Sequence, residues 1–212
     1  MSLLPIMLKL EGKRAAIVGA GKVAARHIPK LLEAGIKEVV VYAPTLHPIL
    51  EGYQDHLSFT WVKEVVQFNS TFNEELLFLM TDDKTLHRNL YRRKKSFQLI
   101  YVANDANLSD FHFPMTMQKG KFSFSLSTGG ASPTYGKKIM KEIELALPDT
   151  IDEDLVFLEK ARKLVLKSNL SQKDRRLLLQ NCASAEWLQD PDRDQKVMKW
   201  IEEITSGGST RT

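Results

Sequence analysis

The sequence predicts an α/β fold in which a parallel sheet carries helices on both faces. Three observations predict it. A short apolar run at residues 15–18 (AAIV) stops at a glycine, as a strand buried in a parallel sheet does. A stretch with helical spacing follows at once, and a second apolar run, residues 38–42 (EVVVY), follows that. Strand-like runs and helical stretches then keep alternating to about residue 103, the pattern of repeated βαβ units.

Taken in order, residues 8–10 read as a short opening strand and residues 15–18 as the first buried one. Over 23–34 the apolar Val23, Ile28, Leu31 and Leu32 share one helical face, with Arg26, Lys30 and Glu33 outside it. Pro29 predicts a kink in this helix. Gly35 stands where a helix C-terminus favours a glycine. The strand at 38–42 is closed by Ala43-Pro44, and residues 59–66 and 76–80 (LLFLM) give two more strands. Thr81, Asp82 and Asp83 offer a cap for a helix reaching about residue 95, and residues 99–103 (LIYVA) form the next strand.

Beyond Asp110 the pattern changes. Residues 122–127 (FSFSLS) alternate strictly, as a half-buried strand does. A turn from Thr128 to Pro133 leads into a helix at 135–147 that ends at Pro148. From Ile151 onward only helical stripes appear, at 155–168, 173–182 and 194–204. Residues 206–212 are rich in Gly, Ser and Thr and read as a disordered tail. No internal repeat is present.

Composition bounds the function. A chain of 212 residues suffices for one substantial domain and a smaller one. Hydrophobic residues at 43% and charged residues at 26% are the balance of a globular protein. No apolar run reaches the about 20 residues of a membrane-spanning helix, and no secretory segment opens the chain. A cytoplasmic location without a membrane partner is therefore expected. Thirty Lys and Arg against 26 acidic residues give a formal charge of +4, which suits an anionic ligand but not a dedicated nucleic-acid partner. The basic cluster at 88–95 (RNLYRRKK) reads as the solvated face of a helix. The lone cysteine, Cys182, excludes an intrachain disulfide and a cysteine zinc site, and reads as an ordinary thiol.

The chemistry-bearing motif is Gly19-Ala20-Gly21-Lys22-Val23-Ala24, set between the first strand and the first helix. Gly19 permits the tight turn. Gly21 leaves room for a pyrophosphate to approach the backbone. The free N–H groups at the helix start face that anion, and Ala24 allows close packing of helix on strand. Residues 13–43 thus form a βαβ dinucleotide-binding unit. The acidic residue that normally takes the ribose hydroxyls about 20 positions on is missing, because the second strand ends Tyr42-Ala43-Pro44. Ribose recognition then falls to backbone or to another loop. The lack of a basic residue at Ala43-Pro44 favours NAD over NADP.

These segments together carry a family resemblance. Residues 10–24 (LEGKRAAIVGAGKVA), 31–35 (LLEAG), Thr81-Asp82-Asp83, 110–114 (DFHFP) and 127–133 (STGGASP) occur in the order seen in the precorrin-2 dehydrogenases of siroheme synthesis. The chain resembles the stand-alone dehydrogenase type, and also the dehydrogenase–ferrochelatase module of siroheme synthases, from residue 10 to about residue 148. The resemblance implies NAD-dependent oxidation of precorrin-2 to sirohydrochlorin. It implies a Rossmann-like NAD-binding domain at 1–113, a small strand–helix dimerisation region at 114–148 and a helical C-terminal domain at 149–205. It also implies a homodimer, with the active site between domains. NAD contacts are expected from Gly19, Gly21, Lys22, Val23, Ala24, Ala43, Pro44, Thr81 and Asp82.

The family's functional carboxylate lies just after the last Rossmann strand, in a segment of the form Asn-Val-Val-Asp. Here the segment reads Tyr101-Val102-Ala103-Asn104-Asp105. Asn104 stands at the functional place and Asp105 is its neighbour. Either Asp105 takes over by a small backbone shift or the site works without that carboxylate. A carboxylate accepts a proton when hydride leaves and a carboxamide does not. His112, near Asp105 and Asp110 in sequence, is a third catalytic candidate, for proton transfer or metal binding. Ser127 and Thr128, beside Gly129 and Gly130, are candidates to hold a substrate carboxylate, and Lys137, with Lys138 beside it, to face the tetrapyrrole's acids. Two other readings share these residues: a bifunctional enzyme that also inserts iron, and an NAD-sensing dimer that regulates a partner without chemistry.

Overall fold

A computed structural model describes residues 3–206. Of the tail expected to be disordered, residues 207–212 lie outside the described residues. The described chain forms two units that divide between Phe113 and Pro114.

In the first unit the elements run β1 (Arg14–Val18), α1 (Lys22–Glu33), β2 (Glu38–Tyr42), α2 (Pro48–Glu51), β3 (Phe59–Val62), β4 (Leu76–Leu79), α3 (Lys84–Arg92) and β5 (Leu99–Val102). The five strands form one parallel sheet in the order β3-β2-β1-β4-β5. This is a Rossmann-like sheet, with its crossover between β1 and β4. Successive side chains go to opposite faces. Ile17, Val39, Val41 and Phe78 pack with Ala24 and Ile28 of α1. Ala16, Val18, Leu77 and Ile100 pack with Leu86 and Leu90 of α3 on the other face. Helices cover both faces, which explains why these strands read as unbroken apolar runs. Each fully buried branched side chain contributes about 1.5–3 kcal/mol.

Local signals set the ends. α1 continues through Pro29 and closes as a Schellman motif: Ile36 N–H donates to Leu31 O and Gly35 N–H to Leu32 O, with Gly35 at φ +73°. Asp83 caps α3, its carboxylate accepting from the N–H groups of Thr85 and Leu86, each at 2.9 Å. β5 is an edge strand, and residues 109–110 cover it. Asp110 accepts from Ile100 N–H at 2.9 Å and from Lys94 Nζ, while Ser109 Oγ accepts from Val102 N–H.

Several boundaries differ from expectation. Residues 8–10 form no strand. Leu10 alone is buried there, held by a turn in which Lys13 N–H donates to Leu10 O, and no neighbouring strand pairs with the segment. β3 stops at Val62, where Glu64 N–H turns back to Val62 O at 2.8 Å. α3 ends at Arg92 rather than near residue 95, since Lys95 N–H is taken by the Gln98 side chain. α2 was not expected, being too short to show a period.

The second unit opens with an antiparallel hairpin, β6 (Met115–Lys119) and β7 (Phe122–Leu126), turned at Gly120 with φ +55°. β6 was likewise not expected. α4 (Pro133–Ala146) follows, capped by Ser132, and starts two residues earlier than the spacing predicts because Pro133 suits the first helical position. α5 (Ile151–Lys167), α6 (Gln172–Cys182), α7 (Ala185–Leu188) and α8 (Arg193–Ser206) share a core that includes Phe157, Val165, Leu178, Trp187 and Val197. Arg193 pairs with Asp154 at 2.8 Å and lies over the Phe157 ring, joining α8 to α5. Cys182 is fully buried, and burial pushes its thiol up to about 11, so it is an inert packing residue. Among the described residues no helix is long and apolar enough to cross a membrane.

Candidate functional site

The carboxyl ends of β1, β2 and β4 meet at a cleft of about 360 Å³. Its position at the sheet's crossover is where ligands of open α/β sheets bind. Gly19, Ala20 and Gly21 form its floor, Ala43 to His47 one wall, and Met80, Thr81 and Asp82 the other. Two larger concavities, of about 780 and 520 Å³, lie in the helical part of the second unit and contain no residue of the glycine turn.

The two glycines do different work. Gly19 has φ +101°, and a Cβ there would stand 2.8 Å from Thr81 Cγ2 and 2.9 Å from Met80 O. It is a packing glycine that lets the turn lie on β4. Gly21 has φ −84°, and a Cβ there would meet no protein atom within 4 Å. Its missing side chain leaves open space at the cleft and relieves no contact within the fold.

The donor set fits a pyrophosphate. The first paired amide of α1 is Ala25 N–H, bonded to Gly21 O, so those of Lys22, Val23 and Ala24 have no partner within the helix. No side chain caps this end, and its first turn carries no acidic residue. Lys22 is exposed there and adds positive charge, whereas Ala24 is fully buried against the sheet.

On the β4 wall, Thr81 Oγ1 lies 2.9 Å from His87 Nε2 and accepts from Asp83 N–H at 3.4 Å. His87 is buried at 1% exposure in α3. Burial lowers its pKa, against the opposing pull of Asn104, Asp83, Asp82 and Asp105. His87 therefore joins a cleft residue, Thr81, to the neighbourhood of Asn104. Sequence reasoning missed it, although Leu86-His87 and Leu90 share the apolar face of α3. His27, also missed, is buried in α1 against Phe113 at 4.4 Å and Tyr101 at 5.5 Å. Its burial, with Arg26 and Lys30 nearby, lowers its pKa to about 4.

Asn104 is exposed just beyond β5. Asp105 is half-buried and caps a 3-10 turn (Ala106–Leu108), one carboxylate oxygen accepting from Asn107 N–H at 3.0 Å. Its second oxygen makes no hydrogen bond among the described residues. His112 is half-buried between Phe111 and Phe113, whose rings pack edge to face at 5.8 Å. No group of three or more His, Cys, Asp or Glu placed to hold a metal occurs among the described residues.

Ser127, Thr128, Gly129 and Gly130 lie in the second unit, between β7 and α4. Ser127 Oγ accepts from Gly129 N–H at 3.2 Å and Thr128 Oγ1 from Ser132 N–H at 3.4 Å. Both hydroxyls shape the turn, and each keeps its own hydrogen to donate. Gly129 and Gly130 have φ +61° and +83°, a conformation that favours glycine. Lys137 is exposed on the first turns of α4, and Lys138 pairs with Glu142 at 3.9 Å.

Comparison with known proteins accords with this geometry. A family model described as "putative NAD(P)-binding" matches residues 6–115. The precorrin-2 dehydrogenase of Bacillus subtilis (strain 168) is 25% identical over 154 residues, 73% of this chain and 92% of that protein. That of Priestia megaterium is 25% identical over 82% of this chain and 86% of its own. The siroheme synthase of Actinobacillus pleuropneumoniae serotype 3 (strain JL03) is 29% identical over 71% of this chain, which spans only 31% of that longer protein. The solved structure of SirC, a precorrin-2 dehydrogenase, superposes with a TM-score of 0.81 over 95% of this chain and all of its own, at 22% identity, and shares the fold.

Proposed function

We propose that this chain, which belongs to the NAD(P)-binding family, is a precorrin-2 dehydrogenase that uses NAD to make sirohydrochlorin in siroheme synthesis. The observation that carries the cofactor half is the glycine turn at the sheet's crossover, with unpartnered amides and an open position at Gly21. The relatives named precorrin-2 dehydrogenase, matched over most of their length, support the substrate.

The oxidation removes a hydride and a proton from the macrocycle. When bound, NAD supplies the hydride acceptor. The chain's own residues supply position and proton transfer. The amides of Lys22 to Ala24 and the Lys22 ammonium hold the pyrophosphate. Ala43 and Pro44 on one wall, and Thr81 and Asp82 on the other, bound the cleft. Asp105 takes the proton: Asn107 N–H orients its carboxylate and leaves one oxygen free to act as base. Asn104 and His112 flank it in sequence as hydrogen-bonding groups. Ser127 and Thr128 donate to carboxylates of the tetrapyrrole, Gly129 and Gly130 allow close approach, and Lys137 adds charge.

The active form is a homodimer in the cytoplasm. Support comes from the hairpin and α4. Neither strand buries a side chain fully, and α4 buries only Gly136, leaving Tyr135 at 59% and Leu145 at 77% exposure. A second copy would cover this face. Sedimentation velocity should give twice the monomer mass, falling to one for Leu145→Asp.

The test of function is NADH formation at 340 nm from precorrin-2 and NAD. Asp105→Asn, which preserves the acceptor for Asn107 N–H, should lower turnover by about 100-fold or more while NAD affinity holds. No turnover by the unaltered protein, where a known precorrin-2 dehydrogenase works, would refute the assignment.

A further inference from the structure

The cleft wall beyond β2 lacks the carboxylate that usually grips a dinucleotide's ribose. Few groups remain on that wall to do it. Ala43 N–H donates to Val62 O at 3.2 Å, and Ala43 O accepts from Trp61 Nε1 at 2.9 Å. Pro44 has no N–H. Leu46 is buried and apolar. The backbone expected to replace the acid is therefore already engaged at Ala43 and has no donor at Pro44.

His47 is different. Its backbone N–H donates to Ala20 O at 3.0 Å, fastening this loop to the glycine turn. Its ring is half-buried at the cleft, and Nδ1 accepts from Ile49 N–H at 3.3 Å. In the neutral imidazole an accepting Nδ1 leaves the hydrogen on Nε2. Rotamer and tautomer are thus set together, and the side chain presents one N–H donor on the wall after β2. Thr45, exposed beside it, is the other polar side chain of this wall.

We infer that His47 reads the adenosine ribose of the bound dinucleotide, donating from Nε2 to the 2′-hydroxyl; this rests on the proposal that the cleft binds NAD. The substitution changes specificity as well as contact. A carboxylate at this wall accepts from ribose hydroxyls and repels a 2′-phosphate. An imidazole N–H donates to either group. The site therefore separates NAD from NADP less sharply than an acidic one.

The experiment is calorimetric titration with NAD, its analogue lacking the adenosine 2′-hydroxyl, and NADP. The unaltered protein should bind the 2′-deoxy analogue about fivefold more weakly than NAD, the worth of one net hydrogen bond. His47→Asn keeps an acceptor for Ile49 N–H and so keeps the fold. It should bind NAD about fivefold more weakly and no longer distinguish the deoxy analogue. His47→Asp should retain NAD and reject NADP by about tenfold or more. Gly21→Asp, in the phosphate turn, is the control that abolishes binding of all three. If folded His47→Asn still prefers NAD over its deoxy analogue, the inference is wrong while the cofactor site stands. If the unaltered protein binds no NAD, both fall.

Discussion

Replacing each glycine of the phosphate turn by alanine should produce opposite defects. At Gly19 the backbone sits at φ +101°, outside the region an L-residue favours, which costs about 1–2 kcal/mol. The new methyl would also stand 2.9 Å from Met80 O and 2.8 Å from Thr81 Cγ2. The first is backbone, at the residue just after β4, and cannot swing away. The second belongs to a side chain whose hydroxyl is engaged with His87. Overpacking of this kind costs a further 1–3 kcal/mol or about that. A total near 3 kcal/mol should lower the melting temperature of a unit of this size by about 12 °C. At Gly21 the angle is ordinary and a methyl meets no protein atom within 4 Å. Stability should change by less than about 0.5 kcal/mol, yet NAD affinity should fall by about tenfold or more, because the methyl enters the space kept for the pyrophosphate. Differential scanning calorimetry and calorimetric titration read the two effects. A stable Gly19→Ala protein, or a Gly21→Ala protein with unchanged NAD affinity, would refute the division of labour.

Other perturbations test neighbouring parts of the structure. His27 has a folded pKa near 4, below its ordinary value of 6.5. The unfolded chain therefore binds the extra proton first, and stability from this site is complete above about pH 6.5 and lost as pH falls towards 4. The loss should amount to roughly 2–3 kcal/mol, and urea midpoints across that window should fall less steeply for His27→Leu. His87, also lowered by burial, adds to the same slope and keeps the variant's slope above zero. Asp110→Ala strands the N–H of the fully buried Ile100 and removes the Lys94 partner, so a loss of about 1–3 kcal/mol is expected from urea unfolding. Asp154→Ala leaves the largely buried Arg193 unpaired beside Phe157. It should destabilise the helical unit by about 3–5 kcal/mol, and Arg193→Met in the same chain should recover part of that by removing the stranded charge.

What the sequence disclosed, and what it withheld, follows from the range of the interactions involved. β1, α1 and β2 were legible to within about a residue. Burial on both faces leaves no polar break in the runs at Ala16–Val18 and Val39–Val41, and Gly35 marks the helix end by a local conformational need. α2 was not legible by period because it has four residues. Its signal was chemical, a capping His47 followed by Pro48 at the first helical position. β6 went unread because Met115-Thr116-Met117-Gln118-Lys119 alternates without β-branched or aromatic apolar residues. The opening strand failed for the converse reason: Leu8 to Leu10 has the composition of a strand, but pairing depends on a neighbour that composition cannot show. The site divides in the same way. Gly19 and Gly21 could be found from spacing alone, yet only the packing around each separates the glycine the fold needs from the one that faces open space. Asp110 belongs to the segment that carries the resemblance, and its contacts with Lys94 and Ile100 show a structural use that the sequence did not reveal: it clasps an edge strand. His87 reaches Thr81 across six residues and the end of a helix, which no motif encodes. The missing acid after β2 was visible as an absence. That the neighbouring backbone is already engaged, and that an imidazole stands on the same wall, required the fold: both depend on hydrogen bonds with Trp61 and Val62, which belong to the adjacent strand β3, and with Ile49.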